Sequence, residues 1–164
     1  MLPSTTNGAT AGSNEFVTND LDFDYFAFAT DADDHVQFKL VMPDDWNLGT
    51  VKAKFFWTTA TGSTTADSIT WGIQGVSLGD SDAIDAAWGT PQTVADATLA
   101  DNGTDMQVSA ATGAMTIAGT PALGDMIAFR VYRDVSADTV PEDIWLFGVQ
   151  IEYQETTVPA AAWA

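Results

Sequence analysis

The chain has 164 residues, 46% of them hydrophobic, with no cysteine and with 23 acidic against 5 basic side chains, a formal net charge of −18. That length and apolar content fit one domain with a substantial core, and the absent cysteines exclude a disulfide framework, a thiolate metal site and a cysteine nucleophile. The charge excludes nucleic acid and anionic membrane as electrostatic partners, and no apolar run reaches the roughly 18 residues that span a bilayer.

Residues 1–20, MLPSTTNGATAGSNEFVTND, are rich in Ser, Thr, Asn and Gly. They lack the basic and apolar segments of a secretory signal and are expected to form a polar N-terminal arm on a soluble, cytoplasmically made protein. A β-sandwich domain over 21–155 and an apolar C-terminal tail over 156–164 complete the expected organisation.

From Phe23 the pattern alternates with period two: Phe23, Tyr25, Ala27 and Ala29 share one side of a strand, Phe26 and Phe28 the other. His35 to Val41 alternates cleanly, with Val36, Phe38 and Leu40 inward. Thr50 to Thr58 is a strand whose end, Phe55-Phe56-Trp57, is aromatic on both faces. Ile69, Trp71 and Ile73 resume the alternation after a polar connection. SDAIDAAWG, residues 81–89, reads as a short helix near 81–88, capped by Ser81 and stopped by Gly89 and Pro91. Gln92 to Asp96, Met106 to Ala110 and Ala114 to Ala118 are weaker strands. Two strong ones follow, Asp125 to Asp134 and Asp143 to Tyr153; the last places Trp145, Phe147, Val149, Ile151 and Tyr153 on one face by strict alternation. Eight or nine short strands without βαβ alternation indicate an all-β antiparallel sandwich, with a jelly roll expected before an immunoglobulin-like arrangement.

Catalytic motifs are missing: there is no GxSxG, HExxH, Walker loop or GxGxxG, and the single histidine, His35, begins a strand. No cofactor and no enzymatic activity are expected. Nineteen of the acids are aspartate, a residue that favours turns. The acidic loops place candidate calcium ligands at Asp31, Asp33 and Asp34 and at Asp101 and Asp105, without EF-hand spacing.

The aromatics carry the strongest signal. Six Trp and nine Phe exceed what one small core must hold, and strands with large apolar groups on both faces need a second cover. Either loops and the short helix provide it, or another copy of the chain does; the second is the expectation here. Phe56, Phe26, Phe28, Ile144 and Leu146 are the candidate interface residues of a homo-oligomer, with a trimer favoured. Val158 and Trp163 in the Ala-rich tail are candidate anchors. A carbohydrate-binding surface would instead display Trp46, Trp71 or Trp88 beside polar groups.

PDDWNLGTVKAKFFWT, DSDAIDAAWGTPQ, GTPALGDMIAFRVYRD and EDIWLFGVQIEYQ, spanning roughly residues 43–153, resemble small structural proteins encoded by tailed bacteriophages. The resemblance implies a non-enzymatic virion component such as a capsid decoration protein or head fibre on the particle surface, in contact with capsid or tail proteins. The alternative is a carbohydrate-binding or receptor-binding module of a tail fibre that takes a host glycan.

Overall fold

The computed structural model describes residues 1–61, 67–100 and 105–156. Strands form over β1 (Leu2–Pro3), β2 (Thr10–Phe16), β3 (Leu21–Phe28), β4 (His35–Val41), β5 (Lys52–Thr59), β6 (Ser68–Leu78), β7 (Gln92–Ala97), β8 (Gln107–Val108), β9 (Met126–Arg133) and β10 (Ile144–Glu152). They make two five-stranded sheets, β1-β4-β9-β6-β7 and β2-β3-β10-β5-β8, in which each neighbouring pair is antiparallel. The fold is an all-β sandwich, as the alternating pattern indicates.

The facing sides meet in one apolar cluster. Phe28, Phe55, Trp57 and Leu146 come from the second sheet, and Val36, Trp71, Ile73, Phe129 and Val131 from the first. Trp71 is its hub: Phe28 meets it edge-on at 5.1 Å, Phe55 stacks on it at 5.3 Å, and Trp57 stands at 6.4 Å. Such pairs add about 0.5–1.5 kcal/mol each beyond the area they bury.

Arg133 closes one end of the sandwich. Its Nε pairs with Asp138 at 2.6 Å, and its other nitrogens donate to the carbonyls of Phe28, Ala29, Val140 and Glu142. One side chain thus ties β9 to the end of β3 and to the loop that opens β10.

Three expectations are corrected. No helix forms at 81–88: Ser81 takes a positive φ of 69°, Asp82 caps the Gly79 N–H, and Ile84 is 89% exposed. A helix this short is marginal in water, and this one has no buried face to stabilise it. Residues 79–91 instead form an irregular strap, pinned where the Gly89 N–H donates to the Gly75 carbonyl and Gln74 Nε2 donates to the Gly89 carbonyl.

The N-terminal segment is not a separate arm either. β2 pairs with β3 over its full length, β1 pairs with β4, and Ala9 is buried in the core. β2 is an edge strand whose polar side chains face water, so burial left little mark on its composition. Finally, Ala114–Ala118 contributes only isolated bridges, Met115 to Val51 and Ala118 to Val76.

Candidate functional site

The outer face of the second sheet, turned away from the core, is aromatic. Register places Tyr25 opposite Gly12, Phe23 opposite Asn14, and Trp145 opposite both Ala27 and Thr58. Phe16 meets Phe23 edge-on at 6.0 Å, Phe23 lies 5.0 Å from Phe147, and Tyr25 stacks on Trp145 at 4.2 Å. All five rings are half-buried. Phe56 continues the face on β5, beside the exposed Val108 of β8.

Two backbone features build this face. Gly12 lets the Tyr25 ring lie across β2, since a Cβ there would stand 2.7 Å from Tyr25 Cζ. The register of β10 against β5 shifts between Leu146 and Gly148, the mark of a β-bulge. A bulge sets two residues opposite one and reverses the alternation beyond it. Trp145 and Phe147 therefore point outward, while Val149 and Ile151, placed on the same face by strict alternation, pack inward against the core.

Between the rings lies a groove of about 290 Å³ lined by Phe16, Leu21, Phe23, Thr58, Asp105, Met106 and Phe147. Thr58 is 1% exposed, and its hydroxyl has no hydrogen-bond partner among the described residues. A buried unpaired hydroxyl is costly. Farther along the same face the surface turns polar, where Lys54 pairs with Glu152 at 2.8 Å.

Of the residues expected at an oligomer interface, Phe56 alone lies on this face. Phe28, Ile144 and Leu146 are fully buried in the core and Phe26 packs against it, because the alternation that separates two faces does not say which one is inside. Phe16, Phe23, Tyr25, Trp145 and Phe147 are the residues this reading left out of the interface. Gly148 within an apolar strand was the signal that could have exposed the bulge.

Trp46 and Trp71 are buried and unable to stack on a ligand, while Trp88 is half-buried on the strap. Val158 and Trp163 lie outside the described residues, as does Asp101. Asp33 and Asp34 cap backbone instead: Val135 N–H donates to Asp33 Oδ1 and Ala29 N–H to Asp34 Oδ2. Asp31 and Asp105 are exposed, and among the described residues no three His, Asp or Glu side chains converge as a metal site. Burial, followed by the nearby Arg130 charge, lowers the pKa of His35, which rests 5.6 Å from the Tyr132 ring.

No protein-family model, no curated protein and no solved structure matches the chain.

Proposed function

We propose that this chain is a non-enzymatic structural protein of a tailed-bacteriophage particle, a capsid decoration or head-fibre component that associates with its own copies on the virion surface. The observation that carries the self-association is the aromatic outer face of the second sheet. Six half-buried rings on one sheet face, with the exposed Leu21 and Val108 on the same sheet and the exposed Met106 beside it, are what an interface presents before its partner is added. A trimer is the favoured assembly, on the resemblance to small phage structural proteins alone. The particle assignment rests on the resemblance of residues 43–153 and on a charge of −18, which keeps the surface from adsorbing to packaged or free nucleic acid.

The strand order supports a jelly roll as the finer fold. From β3 onward, β3-β10-β5-β8 faces β4-β9-β6-β7, the interleaving that two nested Greek keys produce.

The test is direct. Particles produced from the genome encoding the chain are purified and probed for it by mass spectrometry and by immunogold labelling, and light scattering gives its molar mass in solution. The expected result is surface label together with a trimer. Absence from purified particles would defeat the virion reading, and a stable monomer at high concentration would defeat the self-association.

A further inference from the structure

The opposite side of the molecule carries a second constellation, on the outer face of the first sheet. Here Gln37 lies opposite Arg130, His35 opposite Tyr132, Gly72 opposite Tyr132, and Gln74 opposite Arg130, so these side chains share one face across β4, β9 and β6. Arg130 is unusual in its setting. The chain has 5 basic residues against 23 acidic ones, yet half-buried Arg130 has no carboxylate in ion-pair contact among the described residues; the pairs there are Lys54–Glu152 and Arg133–Asp138.

Its guanidinium is nevertheless held in place. Nε donates to Gln74 Oε1 at 3.0 Å, Nη2 donates to the same oxygen, and the group lies 5.2 Å over the centre of the Trp88 ring. Gln74 is 9% exposed, and its Nε2 donates to the Gly89 carbonyl. One buried amide therefore fixes both the arginine and the strap that carries Trp88, and Nη1 is left without a partner among the described residues.

Beside it lies an aromatic platform. A Cβ on Gly72 would stand 2.2 Å from Tyr132 Cζ and 2.6 Å from its hydroxyl oxygen, so the half-buried Tyr132 ring lies over the glycine, with the His35 ring 5.6 Å from it. Tyr132 and Arg130, two residues apart on β9, are separated by about 6.8 Å along the strand. Burial, with Asp134 and Asp33 nearby, holds the Tyr132 hydroxyl above its ordinary pKa, which keeps it a neutral hydrogen-bonding group at physiological pH.

We infer that this face is a binding site for a carboxylate-bearing sugar, a sialic or uronic acid residue, with Arg130 receiving the carboxylate and Tyr132 stacking under the ring. A planar guanidinium with a free edge suits a carboxylate, an aromatic face suits the C–H face of a pyranose, and Gln37 and His35 offer hydrogen bonds to hydroxyls. An extended acidic peptide fits less well. β9 is the middle strand of its sheet, paired on both sides, so its backbone has nothing to offer an added strand. The overall negative charge opposes any anion at long range, so affinity comes from these contacts. The inference requires neither the virion assignment nor self-association through the other sheet.

Titration calorimetry of the full chain against sialyllactose, a digalacturonate, lactose and an oligoglutamate peptide tests it. At least one acidic sugar is expected to bind ten-fold or more tighter than lactose. Arg130→Gln should abolish that preference and Tyr132→Ala should weaken binding of the same sugar, each variant with unchanged far-UV circular dichroism and melting; Phe147→Lys, on the far sheet, should leave it intact. Should Arg130→Gln misfold, Arg130→Lys replaces it and is expected to lose most of the preference, because a point charge does not reproduce the fork. No acidic-sugar binding at millimolar concentration, equal binding of lactose, retention of the preference in the folded arginine variant, or binding of the peptide alone would each overturn the inference.

Discussion

Arg133 and Asp138 form a 2.6 Å ion pair with 1% and 2% of their side chains exposed, and the arginine also donates to four backbone carbonyls in two other segments. Removing one partner of a buried pair strands the other charge and the carbonyls with it. Arg133→Ala should cost about 3–5 kcal/mol of stability, read as a shift of the urea midpoint at constant slope. A cost below about 1 kcal/mol would show that water replaces the arginine freely.

The two faces of the second sheet should respond differently to the same chemistry. Phe147→Lys places a charge on the outer face and is expected to reduce the proposed oligomer to monomer, seen by light scattering, with little change in melting temperature. Phe28→Lys buries an unpaired ammonium among Trp71 and its neighbours and should prevent folding. An oligomer unaffected by Phe147→Lys would move the interface elsewhere.

Asp96 gives a pH dependence with a definite sign. Burial raises its pKa, opposed by the hydrogen bond it accepts from Trp57 Nε1 at 2.9 Å. A carboxyl raised on folding binds more protons folded than unfolded, so stability falls as pH climbs from the unfolded value, about 3.9, through the folded one. Asp96→Asn keeps the acceptor and removes the charge. It should melt above the parent at pH 7, with the advantage vanishing below pH ~3.9. Asp96→Ala instead leaves the buried indole N–H unpaired, a loss of about 1–3 kcal/mol. Equal melting of Asp96→Asn and parent at every pH would contradict the assignment.

Gly89 is wedged against backbone. A Cβ there would stand 2.9 Å from the carbonyl oxygens of both Gly75 and Thr116, atoms that cannot rotate away. Gly89→Ala should release the strap over 79–91, which limited proteolysis would report as a new cleavage between Gly79 and Gly89 in a chain that keeps its sheets. A protease-resistant variant would show that the strap is held by something other than this contact.

The strands with strong alternation were legible from the residues alone. His35–Val41 appears with the same bounds in the structure, the strands around Phe129 and Trp145 are close to theirs, and of the weaker strands Gln92–Asp96 is close as well. The weak strands near Met106 and Ala114 were less legible because their pairing is not regular. β5 is edged there by side chains as well as backbone, with Ala53 and Phe55 donating their N–H groups to Thr112 Oγ1 and Ser109 Oγ, and hydroxyls in that role leave no period-two pattern.

The aromatic face was half visible. Two-sided strands announced that something must cover the second side, and Phe56 was placed on it. Which side of β3 and β10 was inside could not be read, since both faces of β3 carry aromatic rings, Tyr25 on one and Phe28 on the other, and one bulged residue moves the side chains beyond it, Val149 and Ile151, to the other face. The Arg130 cluster was hidden for another reason: Gln74, Trp88 and Tyr132 are far apart in sequence, and the pairing of β6 with β9 and the hydrogen bond from Gln74 to the strap bring them together.

The strand order also governs when this chain can fold. The middle strand of each sheet, β9 and β10, comes last in sequence, so β4 and β6 lack the neighbour that joins them until residue 133 has been synthesised, and β3 and β5 lack theirs until residue 152. Contacts of such long sequence separation form late and slowly. A nascent chain stopped before Met126 therefore holds two unfinished sheets with open edges and uncovered aromatics, the condition in which polypeptides aggregate. Production of this protein should be sensitive to premature termination and to temperature during synthesis.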